Sequence, residues 1–222
     1  MNGRSIGALM FGKYKLISLL GRGGMGEVFL ARGPQLKRPV VIKRILASML
    51  SDSDMLRAFL DETRIAARLR HPNIVRIDEL GEVEGEWFVR MEYVEGAALS
   101  EVLKRAARGN EHLPVEAVLS MGAGLASALD YAHHATDPEG RALQIVHRDV
   151  TPQNVLLARS GEVKLIDFGV ARAEQRFLRT MPGLVKGKLP YMSPEQADGR
   201  RIDARSDIFA LGVCMWESLT GR

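Results

Sequence analysis

From Tyr14 onward the pattern of apolar and polar positions turns β-like, in short runs bounded by turn residues. Tyr14–Leu20 runs into a glycine-rich turn, Gly21-Arg22-Gly23-Gly24-Met25-Gly26, and a second strand-like run follows at Glu27–Arg32. Gly33-Pro34 marks a turn, and Pro39–Ile45 predicts a third strand. The period then lengthens. Ser51-Asp52-Ser53-Asp54 supplies N-cap residues, and Leu56, Phe59, Leu60, Thr63 and Ala67 recur at helical spacing up to His71-Pro72-Asn73. Two more strands are predicted, Ile74–Leu80 and Trp87–Val94, separated by an acidic turn containing glycine. Beyond Gly96 helices dominate: Leu99–Ala107, Pro114–His134 with proline at the first helical position, and Ser206–Leu219. The last is apolar almost all round, which predicts a buried helix closed by Gly221. Val155–Leu157 and Val163–Ile166 predict a short hairpin around Ser160-Gly161. Residues 1–12 carry Gly3, Gly7 and Gly12 without a clear period and predict a flexible leader. A β-rich part with one helix therefore precedes a helix-rich part, with the boundary near Glu92–Gly96.

Composition narrows the class only slightly. With 46% hydrophobic and 26% charged residues, the 222-residue chain is ordinary for a globular domain and excludes a disordered one. One cysteine, Cys214, excludes an intramolecular disulfide framework and a cysteine-based zinc cluster; it is read as a buried apolar residue and fits a reducing, cytoplasmic setting. No apolar run approaches the roughly 18–20 residues of a membrane helix, and Met1-Asn2-Gly3-Arg4 lacks the apolar stretch of a secretory signal. Lys and Arg number 31 against 27 Asp and Glu, a net charge of +4. The arginines are scattered among acids with no basic run interleaved with aromatics, so nucleic acid is not an expected partner.

Three segments carry candidate chemistry. Gly21-x-Gly23-x-x-Gly26 lies between two strands, where it is either a flap that covers phosphates with backbone N–H groups or an ordinary hairpin turn. Lys43 interrupts the apolar run Val40-Val41-Ile42, so its charge must reach solvent or meet an anion; Glu62 on the following helix is a candidate partner. Asp149 stands five residues before Asn154, and the predicted hairpin then leads to Asp167-Phe168-Gly169. Three oxygen-bearing side chains of this kind suit a magnesium ion, held by Asn154 and Asp167, and a proton acceptor, Asp149. Taken singly, Asp149 reads equally as a turn residue and Asn154 as a local cap.

In their order these segments, with Ser193-Pro194-Glu195, resemble the protein-kinase signature set. Over about residues 13–222 the chain is similar to the eukaryotic-like serine/threonine kinases of bacteria. The resemblance implies an α+β bilobal fold. Residues 13–94 would form an antiparallel sheet plus one helix, 92–96 a hinge, and 95–222 a mainly helical lobe. In the family that lobe continues through further helices, so here it is expected to lack its last ones, leaving Ala210, Val213 and Leu219 exposed and Glu195 without its usual arginine. The implied activity is transfer of the γ-phosphoryl group of ATP, with Mg2+ or Mn2+, to Ser/Thr hydroxyls of protein substrates; the alternative is a kinase-fold module that binds nucleotide or partners without catalysis.

The same resemblance assigns residues. Lys43, positioned by Glu62, would contact the α- and β-phosphates beneath Gly21, Gly23 and Gly26. Asn154 and Asp167 would hold the metal, and Asp149 would accept the hydroxyl proton. Adenine would meet the hinge backbone at Glu92 and Val94, behind Met91, with Val28 and Val41 above and Leu156 below. Asp207 would hold the catalytic-loop backbone. Two departures stand out: Thr151 occupies a position usually held by lysine, and Lys188 one usually held by threonine. The paired change suggests an exchange, in which Lys188 supplies the ammonium near Asp149 with Thr151 as its partner. Thr180 is the candidate regulatory phosphosite, facing Arg148, and a homodimer would serve trans-autophosphorylation.

Overall fold

The computed structural model describes residues 4–23, 26–45, 53–168 and 189–222. Two compact units are present, Met1–Arg68 with Arg76–Val94, and Leu69–Val75 with Glu95–Arg222. The first holds a six-stranded antiparallel sheet of β1 (Arg4–Phe11), β2 (Tyr14–Gly23), β3 (Gly26–Arg32), β4 (Val40–Ile45), β5 (Ile77–Val83) and β6 (Glu86–Glu92), in the order β1-β2-β3-β4-β6-β5. Helix α1 (Ser53–Ala66) completes it. Alternation decides the core. Tyr14 and Leu16, Phe29 and Ala31, and Val40 and Ile42 all fall on one face, where they bury with Phe11 and Phe88. Phe88 is packed edge-on by Phe11 at 5.5 Å and by Tyr14 at 5.7 Å, contacts that add about 0.5–1.5 kcal/mol each beyond burial. The β5–β6 hairpin turns through Glu84 and Gly85, both at positive φ (50° and 81°), the conformation whose twist matches the strands it joins.

Two expectations are corrected in this unit. Arg4–Phe11, read as a flexible leader, is a strand paired antiparallel to β2, with Leu9 opposite Leu16 and Phe11 opposite Tyr14. Its backbone ladder holds it while Leu9 and Met10 stay exposed, so no alternating signal survives in the sequence. The strand expected from Ile74 begins only at Ile77. Ile74 bridges Leu165, the Val75 N–H donates to the Leu165 carbonyl at 2.9 Å, and Asn73 Nδ2 donates to the Val163 carbonyl at 2.8 Å. These three residues therefore belong to the second unit.

The second unit contains β7 (Gly96–Ala98), α2 (Leu99–Arg108), α3 (Val115–His133), β8 (Val155–Ala158), β9 (Val163–Leu165), α4 (Pro194–Ala197) and α5 (Ala204–Thr220). Strands β7-β8-β9 form a small antiparallel sheet. Pro114 is the N-cap of α3 rather than its first residue. The helix buries Val118, Met121, Leu125, Ala128, Leu129 and Ala132, a stripe at helical spacing. A Cβ on Gly122 would come within 2.6 Å of Met215 Sδ and Cε, so the end of the Met215 side chain on α5 packs directly against the Gly122 backbone of α3. Gly221 caps α5 in the left-handed conformation (φ 69°).

Helix α5 is not buried all round. Ser206, Asp207, Ala210, Leu211, Cys214 and Ser218 face inward, whereas Ile208, Phe209 and Trp216 are exposed and Leu219 is exposed at its edge. Of the three residues expected to be uncovered, only Leu219 is; Ala210 is buried and Val213 half-buried. An apolar sequence on every side cannot tell which face is packed; contact with α3 decides it. Among the described residues no helix is long and apolar enough to cross a membrane.

Candidate active site

The sheet of the first unit has a second face. Val28 lies opposite Lys43 and Lys43 opposite Val89; Val41 lies opposite Met91. Because side chains alternate, Val28, Val41, Lys43 and Met91 share the face turned away from the aromatic core. Lys43 is only 9% exposed. Glu62 is half-buried on α1, beside the buried Thr63. The β2–β3 hairpin brings Gly21 opposite Val28 and Gly23 opposite Gly26. A Cβ on Gly26 would lie 2.0 Å from the Arg44 carbonyl oxygen, so the neighbouring strand requires glycine there. A Cβ on Gly21 or Gly23 would meet nothing within 4 Å among the described residues. At the end of β6 the Glu92 N–H donates to the Arg76 carbonyl at 3.0 Å, and its carboxylate accepts the Arg76 N–H at 2.9 Å.

In the second unit the segment 147–154 is a tightly held loop. Asp207, only 1% exposed in the first turn of α5, accepts the His147 N–H on Oδ2 (2.8 Å) and the Arg148 N–H on Oδ1 (2.7 Å). The His133 ring, at the end of α3, meets the same Oδ2 through Nε2 at 2.8 Å. A buried carboxylate is tolerated because three donors replace its water. The buried His147 ring accepts the Asp149 N–H on Nδ1 (3.3 Å), which fixes Nε2 as the donor to the Ile166 carbonyl at 2.8 Å. Phe168 packs edge-on against that ring at 4.6 Å. Asn154 Nδ2 donates to both the Asp149 carbonyl (2.8 Å) and the Asp149 carboxylate (2.7 Å). The Ile166 N–H donates to the Asn154 carbonyl at 2.9 Å, which seats Asp167 next to Asn154. Arg148 and Asp167 both sit at positive φ (66° and 62°), a conformation that costs an L side chain about 1–2 kcal/mol.

Comparison with known proteins identifies the family to which this chain belongs. The protein kinase domain family model matches residues 14–222. The chain belongs to that family. It is 46% identical over 213 residues to the tyrosine-protein kinase MasK of Myxococcus xanthus and 40% identical over 217 residues to the serine/threonine-protein kinase PrkC of Bacillus subtilis. These alignments cover 95% and 98% of the chain but 33% and 32% of those proteins, so it spans about a third of the length of the curated relatives it matches. The crystal structure of the Mycobacterium tuberculosis PknI kinase domain superposes with a TM-score of 0.74 at 32% identity, covering 97% of this chain and 76% of that one. The fold is the protein-kinase fold, and the family's chemistry is ATP-dependent phosphorylation of proteins, in general with a divalent metal.

Within this kinase domain Leu156 lies on β8 opposite Ala98, and Val94 is half-buried where the first unit ends. Thr151 is buried, and its carbonyl accepts the Asn154 N–H at 2.9 Å, closing a turn. Lys188 and Thr180 lie outside the described residues. Glu195 is met by the Ser206 hydroxyl, which holds its carboxyl below the usual carboxylate range. Cys214 is fully buried, and burial, ahead of the Glu217 and Asp149 charges, pushes its thiol up to about 12. Sequence reasoning missed His133, Gln196 and Ser206. Each acts across a gap in the chain; only Gln196 carries a local mark, the Ser193-x-x-Gln196 capping box, and that mark does not reveal its bond to Arg148.

Proposed function

We propose that this domain transfers the γ-phosphoryl group of ATP to Ser and Thr hydroxyls of protein substrates in bacterial signalling. The observation that supports it most is the catalytic loop: the Asp149 carboxylate is steadied by Asn154 at 2.7 Å while Asp207 holds the preceding backbone. A carboxylate fixed in this way accepts the hydroxyl proton as the acceptor oxygen approaches phosphorus. Lys43, with Glu62 as its positioning partner, contacts the α- and β-phosphates. Gly21 and Gly23, which neither packing nor backbone conformation requires, leave room for phosphates against the backbone, while Gly26 serves both strand packing and that flap. Adenine meets the hinge backbone at Glu92 and Val94, with Val28, Val41, Met91 and Leu156 around its ring.

The donor set fits a hard cation. Asn154 uses its amide N–H groups inside the loop, which leaves Oδ1 as an oxygen ligand, and Asp167 follows Ile166, whose N–H meets the Asn154 carbonyl. We assign both to Mg2+, with Mn2+ fitting the same ligands; the bound ion would offset phosphate charge. Two side chains suffice, since Mg2+ takes its remaining ligands from phosphates and water. Lys188 is proposed to supply the cation near Asp149 that other family members place at position 151, and Thr180 to be a regulatory phosphosite formed in trans by a second copy. The single buried cysteine supports a reducing, cytoplasmic location.

Incubating the full-length protein with radiolabelled ATP and Mg2+ tests the reading. Transfer by the wild type and a loss of about two or more orders of magnitude in Asp149→Asn are expected. Wild-type protein that binds ATP but transfers nothing would favour the non-catalytic module. A second acceptor class has its own support: Thr151 replaces the lysine usual for Ser/Thr transfer, and the relative from Myxococcus xanthus is named a tyrosine kinase. Phosphoamino-acid analysis of the product separates Ser/Thr from Tyr transfer.

A further inference from the structure

Gln196 sits on α4, where it completes a capping box: its Oε1 accepts the Ser193 N–H at 3.0 Å, and its own N–H donates to Ser193 Oγ at 3.4 Å. A glutamate makes this motif equally well. What glutamate cannot do is donate. Gln196 Nε2 donates to the Arg148 carbonyl at 2.9 Å, across 48 residues of sequence. That carbonyl belongs to the peptide group leading into Asp149, whose N–H is bound at the other end by His147 Nδ1. The preceding N–H, that of Arg148, is held by Asp207. Arg148 itself sits at φ 66°, where a non-glycine residue stays only if its surroundings hold it.

We propose that Gln196 is a positioning residue for phosphoryl transfer: its carboxamide couples the helix-capping Ser193 to the peptide that aims Asp149. The proposal rests on the transfer reading above. Losing the Nε2 donor lets the Arg148–Asp149 peptide rotate, so the carboxylate samples orientations that do not meet the acceptor hydroxyl. ATP binding does not pass through this contact and stays intact.

Gln196→Glu is the discriminating variant, because it keeps the acceptor for Ser193 and turns a carboxylate oxygen toward the Arg148 carbonyl in place of the donor; Gln196→Ala removes acceptor and donor without adding a charge. In the full-length protein, Gln196→Glu is expected to lower kcat about tenfold, a single hydrogen bond's effect on a barrier. Its KM for ATP stays within about twofold, and its Tm stays close to wild type. Backbone amides of His147–Val150 should exchange hydrogen about tenfold faster in both variants. Wild-type kcat in Gln196→Glu, or a lowered kcat with unchanged exchange at His147–Val150, overturns the proposal. If wild-type protein transfers no phosphate, the transfer reading fails and this proposal with it; transfer by wild type and by an unaffected Gln196→Glu variant removes this proposal alone.

Discussion

Asp207→Asn perturbs one atom and loads the consequence on the catalytic loop. The wild-type carboxylate presents two acceptors to three donors in a site that is 1% exposed. Asparagine has one oxygen. With that oxygen toward His147 and His133, its amide N–H groups confront the Arg148 N–H; flipped, they confront the His147 N–H and the His133 ring. The milder orientation loses one hydrogen bond to a charged group, about 1.5–3 kcal/mol, and leaves the Arg148 N–H buried without a partner, about 1–3 kcal/mol more. Local relaxation returns part of this, so a net cost of about 2–5 kcal/mol is expected. For a chain of this size each kcal/mol moves Tm by about 2–4 °C. Thermal unfolding followed by circular dichroism should therefore show a fall of roughly 4–20 °C. Phosphoryl transfer, measured well below the variant's Tm, should fall as well. A variant that melts within about 1 °C of wild type would refute the claim that Asp207 carries the loop.

Three further outcomes are expected. Gly26→Ala should destabilise the domain by about 1–3 kcal/mol, because its Cβ would meet the Arg44 carbonyl at 2.0 Å, whereas Gly23→Ala meets nothing within 4 Å and should leave Tm unchanged while raising KM for ATP. Equal melting of the two variants counts against the packing role of Gly26, and an unchanged KM for ATP in Gly23→Ala against a phosphate role for Gly23. Cys214, with its thiol near 12, should resist iodoacetamide at pH 8 in the native state and react fully in denaturant; rapid native labelling contradicts its burial. The same shift makes the folded state hold its proton longer than the unfolded one, so native stability should decline as pH rises from about 9 toward about 12. Asp203, held at about 2 by the Arg205 side chain and N–H at the start of α5, contributes stability that is full above pH 3.8 and lost as pH falls toward about 2. Tm should drop more steeply across that window in wild type than in Asp203→Asn, and equal slopes would exclude the contribution.

How far the sequence speaks depends on whether a signal is local. Strands β2, β3, β4 and β6 are legible because each alternates residues between a packed face and a second face, and α3 because its buried stripe recurs within the helix. Strand β1 is not, since a backbone ladder with exposed Leu9 and Met10 leaves no period to read. Ile74 and Val75 look like a strand start, yet together with Asn73 they bind Val163 and Leu165, a choice of partner that no local pattern encodes. The exposed face of α5 is invisible for a related reason: Ile208 and Trp216 are as apolar as the buried Leu211.

The site divides along the same line. The proposed site residues Lys43, Asp149, Asn154 and Asp167 stand out in the sequence because Lys43 interrupts an apolar strand and the other three fall at short, fixed spacings around a hairpin. The groups that hold the loops do not. Arg148 and Asp167 occupy left-handed conformations that their own side chains disfavour, so each persists only through bonds supplied from elsewhere. Asp207 reaches the Arg148 N–H across 59 residues, Gln196 its carbonyl across 48, and His133 reaches Asp207 across 74. A hydrogen-bond partner at such a distance has no preferred spacing, and any residue able to present the right atom would serve. Helices α3, α4 and α5 therefore enter the chemistry through the backbone of residues 147–149. Loosening any of them should lower phosphoryl transfer before it unfolds the domain, because the loop sits in a conformation it would leave first.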